Sequence, residues 1–450
     1  MIARYGRSRA EFACAACLIL VATSQGFSAP ICTTQTASAD VTLSKGAWPL
    51  RRSFQRLTTD RFRVLEPLFP RLPGTSWSAL IVYSGGAIEA RSADKGEARW
   101  AAPLRSPREP TLLGMAAGYL FATGHRVFAV SGDSGLVRWS FGEEPADRPL
   151  DDPEWTPSWT LYAPTAKRVI AASDQGEVVA LDRSSGAVLW RKSTRLQIGG
   201  LAAGDERVYL ATEENQVNKI YYLDAESGRS VSEWTSDERS SLERMSLVRD
   251  ASLVCLFSQR LIALDARTGA LRSKVPTSDR FIPATLQLLV KEIIVSPDGR
   301  RLVCLDALGD LRRIWQSEAV GEGSMDRLWV QASEPAIFAA SGEFVTAFCL
   351  KDGSRLWRTK VPGLSLTLEP KLNDQAVIVV APLPSGSETP GEPRRYQIIA
   401  LSRIDGHRMT VGNDDAIVTE PLKSLDAFYL RDRSIILVSG NQMIGYSAGR

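Results

Sequence analysis

Short apolar runs, each bounded by turn-forming residues, recur along the chain from residue 77 to its C-terminal end. One run extends from Val178 to Asp182, and a second begins at Val188 after a brief polar interruption. Runs of this length and composition are typical of buried β-strands, whereas no window sustains the apolar period of a helix. The pattern therefore predicts hairpins, and an all-β fold.

The interruption between these two runs has the chemistry of a tight turn. The carboxylate of Asp182 is suited to accept backbone N–H groups two residues on, and Gly186 supplies a positive φ. Trp190 follows Gly186 by four residues, in the next predicted strand. We expect its ring to dock against a neighbouring structural unit.

The same unit occurs eight times, starting at positions 90, 129, 180, 222, 263, 304, 347 and 400. In four copies Trp follows Gly by four residues: Gly96 and Trp100, Gly135 and Trp139, Gly186 and Trp190, Gly353 and Trp357. In two copies the interval is six: Asp224, Gly228 and Trp234, then Asp306, Gly309 and Trp315. An even interval keeps Trp on the same face of a regular strand. In the second of these copies, the interval from Asp306 to Gly309 predicts a turn one residue shorter than in the other copies. Two copies keep Gly without Trp: Asp265 and Gly269 with Ser273, then Gly406 with Thr410.

A repeat of about forty residues with several short strands is the period of a β-propeller blade. The sequence predicts a single propeller, with eight blades of four antiparallel strands preferred and seven or nine as alternatives. A C-terminal hairpin, residues 434–437 and 443–447, lacks an outer strand of its own. A count of eight blades leaves one hairpin irregular or outside the ring. The N-terminal lead-in at residues 40–76 is a candidate to supply the outer strand that the C-terminal hairpin lacks.

The pattern Ala-x-Asp-x-x-(Ser/Thr)-Gly-x-x-x-Trp resembles the tryptophan-docking repeat of the pyrroloquinoline-quinone-like β-propellers. The resemblance covers residues 77–446, with departures at the Asp position (Ser92, Ser131, Cys349, Ser402) and at the Trp position (Ser273, Thr410). That family includes quinoprotein alcohol dehydrogenases and the propeller lipoprotein of the bacterial outer-membrane assembly machine, and the chain is more similar to the latter. WD40 propellers are a poorer match, because no Trp in the chain is followed by Asp.

The N-terminal residues 1–29 resemble a secretory signal: three arginines precede an apolar run and then small residues. Cleavage is expected after Ala29, or as late as Ala39, which leaves no transmembrane span and a propeller over residues 77–450. These features predict an extracytoplasmic protein, periplasmic or secreted. A lipid anchor on Cys17 is a less favoured alternative, because the residue three before it is not Leu.

The composition of the chain limits the classes of function that it can have. With 450 residues, 44% hydrophobic content and a net charge of +3, the chain can bury a large core and has no strong general attraction for nucleic acid. Its six cysteines lack zinc-ligand spacing, and Cys255, Cys304 and Cys349 are expected to be buried free thiols, with a disulfide among them as the alternative in an oxidising compartment.

The sequence contains no recognisable set of catalytic or metal-binding residues. His125 and His407 each follow a Gly in a predicted turn, where an exposed position is expected rather than a general base. The quinoprotein resemblance would imply a bound quinone and Ca²⁺, but the chain has no adjacent cysteine pair. Sugar stacking on Trp155 and Trp159 is a further alternative.

Three long connections interrupt the repeat, at residues 142–157, 235–244 and 382–395. Loops of this kind are where a rigid scaffold carries its binding residues. The sequence therefore predicts a monomeric, noncatalytic scaffold without cofactors that binds protein partners through loops at a propeller rim. A quinone-dependent dehydrogenase and a carbohydrate-binding propeller are the alternatives.

Overall fold

The computed structural model describes residues 50–57, 63–65 and 79–448, apart from gaps at 105–109, 116–117, 143–157, 215–216, 237–240, 258–259, 277–286, 290, 322–327, 365, 384–392, 410–416, 423, 432–433 and 440–441. These residues form 37 β-strands. The proposed signal sequence and the Cys17 anchor lie outside the described residues.

The strands assemble into nine antiparallel sheets, which we number as blades I to IX. Blade I contains β2 (Arg63–Val64), β3 (Ala79–Ser84), β4 (Ala87–Ser92) and β5 (Ala98–Pro103); blade II, β6 (Thr111–Met115), β7 (Gly118–Ala122), β8 (Val127–Ser131) and β9 (Val137–Phe141); blade III, β10 (Trp159–Pro164), β11 (Arg168–Ser173), β12 (Glu177–Asp182) and β13 (Val188–Ser193). Blade IV contains β14 (Ile198–Ala203), β15 (Arg207–Glu214), β16 (Val217–Asp224) and β17 (Ser230–Thr235); blade V, β18 (Leu242–Val248), β19 (Ser252–Phe257), β20 (Arg260–Asp265) and β21 (Leu271–Pro276); blade VI, β22 (Gln287–Leu288), β23 (Glu292–Val295), β24 (Arg301–Asp306) and β25 (Arg313–Ala319).

The last three blades include two irregular ones. Blade VII contains β26 (Trp329–Ser333), β27 (Ala336–Ser341), β28 (Phe344–Cys349) and β29 (Arg355–Lys360); blade VIII, β30 (Lys371–Leu372), β31 (Ala376–Pro382), β32 (Tyr396–Ser402) and β33 (Arg408–Met409), with β34 (Ile417–Val418) also paired to β32. Blade IX contains β35 (Ala427–Arg431), β36 (Ser434–Ser439) and β37 (Gln442–Ala448), with β1 (Leu50–Leu57) as its outer strand.

Nine apolar clusters hold the blades together, each shared by two successive blades. Between blades III and IV, for example, Ala180 and Trp190 pack with Val208 and Leu223. The clusters continue in this way from blade I to blade IX. A ninth cluster joins Leu80 of blade I to Ile436 of blade IX, so the ring is closed. The fold is an all-β propeller, as predicted.

The preferred count of eight blades is wrong, because the C-terminal hairpin is itself a blade. β37 pairs with β36 on one side and with the N-terminal strand β1 on the other, from Leu50 opposite Ala448 to Leu57 opposite Gln442. The first strands of neighbouring blades approach one another, as β10 and β14 do, which places them nearest the axis and the fourth strands on the outer wall.

Antiparallel strands reverse direction at each step, so alternate connections emerge on the same side of the ring. First-to-second and third-to-fourth turns lie on one rim, which we call the turn rim. Second-to-third turns and the connections between blades lie on the opposite rim, the loop rim. All three long connections noted in the sequence belong to the second group: they join β9 to β10, β17 to β18 and β31 to β32.

Candidate functional site

Five outer-strand tryptophans dock on the turn rim of the following blade. The type example is Trp190 of blade III, whose Nε1 donates a hydrogen bond to the Ala225 carbonyl of blade IV at 3.0 Å. In each case the acceptor lies three residues before the turn glycine. The other pairs are Trp100 with Gly132 O, Trp139 with Arg183 O, Trp315 with Leu350 O and Trp357 with Arg403 O, at 2.8 to 3.1 Å.

Glycine is required in these turns for two reasons. Gly228 has φ +68°, a left-handed conformation, and a Cβ there would lie 2.7 Å from the Trp190 ring. Gly135, Gly186, Gly353 and Gly406 have the same conformation and face Trp100, Trp139, Trp315 and Trp357 in the same way. Gly96 also has a positive φ, of 67°. The glycine therefore allows both the turn and the close approach of the indole.

The turn carboxylates stabilise the same hairpins. Oδ1 of Asp182 accepts hydrogen bonds from the backbone N–H and hydroxyl groups of both Ser184 and Ser185. These donors lower the pKa of Asp182 to about 2. Asp224 accepts equivalent bonds from Ser227, and Asp265 from Thr268. The carboxylates are thus occupied by their own turns.

The interface between blades IV and V replaces tryptophan with tyrosine. Gly269 faces the ring of Tyr222, and the Tyr209 hydroxyl donates to the Ala266 carbonyl at 3.0 Å. Trp234 is half-buried, with its ring centroid 6.4 Å from that of Phe257 in blade V. Ser232, opposite Tyr222, holds the position from which the other tryptophans dock. Trp234 lies two residues further along the strand, opposite Ile220. The longer Gly-to-Trp interval therefore moves the ring off the turn.

The turn of blade VI differs from the sequence prediction. Asp306 N donates to Arg312 O, six residues on, whereas Asp182 N donates to Ala187 O, five residues on. The turn is one residue longer, not shorter. Leu311 has the positive φ, 53°, and lies four residues before Trp315, so it takes the place expected of Gly309. Gly309 lies in the turn without that conformation.

Blade V contacts this lengthened turn without an aromatic ring. Arg272 donates from Nη1 to the Leu308 carbonyl at 3.0 Å, and Ser273, at the Trp position, donates its hydroxyl to Asp310 O. Leu308 lies three residues before Leu311, the residue with positive φ. The Leu308 carbonyl therefore occupies the same position as the acceptor carbonyls of the other turns. Thr410, the remaining departure from the Trp position, lies outside the described residues.

The outer strands of blades I to VII each carry a β-bulge just before the docking position. In blade III, Leu181 pairs with Val188 and Ala180 with Trp190, so Leu189 is the extra residue. The equivalent extra residues include Arg138 in blade II and Leu356 in blade VII. A bulge interrupts the pairing pattern of an edge strand and turns its extra side chain outward.

The other residues considered from the sequence do not form a common site. His125 lies in a second-to-third turn and His407 in a third-to-fourth turn, which places them on opposite rims. Trp159 is buried against Phe141, with ring centroids 5.5 Å apart, so it has no free face for a sugar; Trp155 lies outside the described residues. Cys255, Cys304 and Cys349 are buried free thiols, and burial raises the pKa of Cys304 to about 12.

The described residues contain no group of three His, Cys, Asp or Glu side chains placed to bind a metal ion. A helix with the length and apolarity needed to cross a membrane is not found among the described residues.

One groove opens on the turn rim between blades II and III, with a volume of about 450 Å³. The docked Trp139 lines it together with Leu120 and Ala129. Polar lining residues are Arg138, Lys167, Asp182, Arg183 and Ser184. Arg183 donates to the Thr165 carbonyl at 2.6 Å, which fixes its guanidinium at the groove, and burial lowers its pKa. The types of residue that line the groove did not reveal it in the sequence, because the groove forms between two blades.

The comparisons with known proteins agree with the repeat architecture. A profile of the family described as "Outer membrane protein assembly factor BamB" matches residues 126–291 and 220–365, which together span more than half of the chain. No curated protein matches the sequence.

Similar solved structures have low sequence identity to this chain. BamB from Moraxella catarrhalis is 15% identical, with 88% of this chain and 99% of that chain covered and a TM-score of 0.41. The computationally designed Ika8 protein is 11% identical, with 84% and 98% covered and a TM-score of 0.47. Hsv2 from Kluyvelomyces marxianus is 9% identical, with 60% and 88% covered and a TM-score of 0.40.

The closed ring of four-stranded sheets, with indoles docked on the turns of successive blades, defines a pyrroloquinoline-quinone-like β-propeller. The chain belongs to the family described as outer membrane protein assembly factor BamB.

Proposed function

We propose that this protein is an exported, noncatalytic interaction scaffold of the cell envelope that binds protein partners through its loop rim. Family membership carries the proposal, because the family description concerns outer-membrane protein assembly. A rigid ring that presents loops suits such a role, since binding residues are often carried by loops on a stable framework. Export rests on the signal-like N-terminus, and we expect the mature protein to be a monomer.

The loop rim is favoured over the turn rim for a topological reason. The turn rim is formed largely by short turns whose carbonyls and carboxylates are already engaged by docked side chains and turn donors. The three long connections all emerge on the opposite rim. Insertions there leave the docking contacts between blades intact, so this rim is the one free to vary in sequence and length.

Site-specific photo-cross-linking in cells tests the proposal. A photoreactive residue at Arg300, exposed in a second-to-third turn of the loop rim, should give an adduct with an envelope protein. The same residue at Glu226, exposed on the turn rim of blade IV, is the matched control and should give none. Recovery of the protein in the cytoplasmic fraction, or equal adducts from both positions, would contradict the proposal.

The alternative is a quinone-dependent dehydrogenase, and a direct titration separates the two. Purified protein is titrated with pyrroloquinoline quinone in the presence of Ca²⁺, with quinone fluorescence as the readout. We expect no saturable binding. Stoichiometric binding would replace the scaffold with the enzyme as the leading function.

A further inference from the structure

We propose that the cleft between blades II and III, on the outer wall beside the turn rim, binds an extended partner segment that combines aliphatic side chains with carboxylates. The inference rests on the proposed scaffold function and deepens it by naming a second surface and its ligand chemistry. We call this surface the II/III cleft; it comprises the groove at Trp139 and the adjoining outer-strand residues Arg138, Val188, Leu189 and Arg191.

The apolar part of the cleft is exposed at two adjacent positions. Val188 and Leu189 are 48% and 46% exposed. Val188 pairs with Leu181, which belongs to the apolar cluster between blades II and III, and directly paired residues share a face. Val188 therefore faces blade II, while the bulged Leu189 projects from the edge. Two exposed aliphatic side chains on β13, which follows the groove residues Asp182 to Ser184 in the chain, can hold an aliphatic side chain of a partner.

The charged part of the cleft is cationic, and its cations have no ion-pair partner among the residues that the structure describes. Arg138 and Lys167 are exposed and form no ion pair in the described part of the chain. Arg191 lies over the Phe141 ring, 5.8 Å from its centroid, and likewise has no carboxylate partner among those residues. The carboxylate in the groove, Asp182, is already bonded to Ser184 and Ser185. Counted over the described residues, the cleft therefore has an excess of positive charge that a partner's carboxylates would neutralise.

Three outer-wall cations in other blades are neutralised within the chain. Arg355 of blade VII pairs with Glu318 at 3.0 Å, and Lys360 pairs with Glu343 at 3.3 Å. Arg272 of blade V pairs with Asp265. The contrast distinguishes the II/III cleft from the equivalent surfaces of these blades.

The bulge at Leu189 indicates how the segment would lie. It breaks the regular edge of β13, and edge bulges disfavour addition of another strand. We therefore expect side-chain contacts rather than a continuous β-ladder: carboxylates beside Arg138, Lys167 and Arg183, and aliphatic groups on Val188 and Leu189.

A labelled probe peptide tests this on the full-length mature protein. The probe is an acetylated and amidated hexapeptide of alternating Leu and Glu, followed by fluorescence anisotropy at low and high salt. We expect saturable binding with a Kd below about 1 mM that weakens as salt screens the charges. A Leu-Lys peptide should not bind, and a Ser-Glu peptide should bind at least about tenfold more weakly. No saturable binding up to about 1 mM, or equal binding of the Ser-Glu peptide, overturns the inference.

Matched variants locate the binding surface. The double variant Arg138→Glu, Lys167→Glu and the single variant Leu189→Ser should each weaken binding about five- to tenfold. Arg313→Glu in blade VI and Leu356→Ser, at the bulge of blade VII, are the controls and should change it less than twofold. Unchanged melting midpoints confirm that all four variants fold. Equal weakening by the controls overturns the assignment to this cleft.

Failure here is distinguishable from failure of the scaffold role. Cross-linking from Arg300 reports on the loop rim and does not involve the II/III cleft. A retained adduct together with no peptide binding would reject the cleft alone.

Discussion

At the scale of single residues, each docked tryptophan joins two blades through burial of its ring and through one hydrogen bond. Trp190 is buried, belongs to the cluster between blades III and IV, and donates to Ala225 O. Trp190→Ala should lower the free energy of unfolding by about 3–5 kcal/mol, the range for large aromatic truncations. Trp190→Phe keeps most of the ring and should lose only about 1 kcal/mol with the hydrogen bond. Urea-unfolding midpoints measure both, and an unchanged midpoint for Trp190→Ala would disprove the docking contribution.

The glycine that faces this ring gives a second prediction. Gly228→Ala places a Cβ 2.7 Å from Trp190 and forces alanine to φ +68°, so a loss of about 1–3 kcal/mol is expected. Gly199→Ala is the control, because no atom beyond its two chain neighbours lies within 4 Å of its Cβ position and its φ is not in the left-handed range. Thermal melting should separate the two variants. Similar midpoints would mean that the turn relaxes without cost.

The turn carboxylate predicts a dependence on pH. The folded-state pKa of Asp182, about 2, lies below the unfolded value of about 3.9. Ionised Asp182 therefore stabilises the fold above about pH 4, and this contribution is lost as the pH falls through about 2. Asp182→Ala should lower the melting midpoint at pH 7 and lose this effect towards pH 2. A difference between the two proteins that is independent of pH would contradict this assignment.

At the scale of strands and blades, the docking unit explains both the successful and the unsuccessful sequence predictions. The unit spans the third strand, a turn and the fourth strand, and its eight copies correspond to blades I to VIII. In blade IX the third strand is β37 and the fourth is β1, from the other end of the chain. No turn joins these strands, so no docking unit marks the ninth blade. Counting units therefore undercounts the blades by one, because the two chain ends meet between the third and fourth strands of a blade.

The other differences arise because contacts between blades depend on atoms distant in sequence. The even spacing of Trp234 and Trp315 after their glycines suggested equivalent docking. Trp315 does dock, because Leu311 takes the place of glycine in the turn before it. Trp234 is displaced from the docking position, and Tyr209 and Tyr222 make the contacts with the next turn instead. Residue types within one blade cannot show which side chain of the preceding blade reaches a turn. The groove between blades II and III was unpredictable for the same reason.

The pairing of β1 with β37 predicts that the N-terminal strand stabilises the last blade. Deletion of residues 1–57 exposes the whole edge of β37 and should lower the melting midpoint and promote self-association, since unpaired edges pair with other chains. Deletion of residues 1–49 retains β1 and serves as the control. Melting and size-exclusion chromatography test this, and equal behaviour of the two deletions would show that β1 does not contribute.

At the scale of the whole molecule, every blade has two apolar faces, and closure of the ring gives each face a neighbour. Blade IX contributes Phe428, Ile435 and Leu437 to the cluster with blade VIII, and Ile436, Val438 and Met443 to the cluster with blade I. Fully burying a side chain of this kind contributes about 1.5–3 kcal/mol. The sum is comparable to the net stability of about 5–15 kcal/mol typical of folded domains. Blade IX therefore cannot be removed as an independent unit.

Truncation after residue 425 tests this cooperativity, because it removes β35, β36 and β37 and leaves β1 without a partner. We expect the truncated chain to lose its cooperative melting transition and to bind a hydrophobic dye, since the apolar faces of blades I and VIII become exposed together. Truncation after residue 448 keeps all of β37 and is the matched control. If the shorter chain melted cooperatively near the midpoint of the control, the remaining eight blades would have to close among themselves, and closure by the N-terminal strand would not be required for the ring.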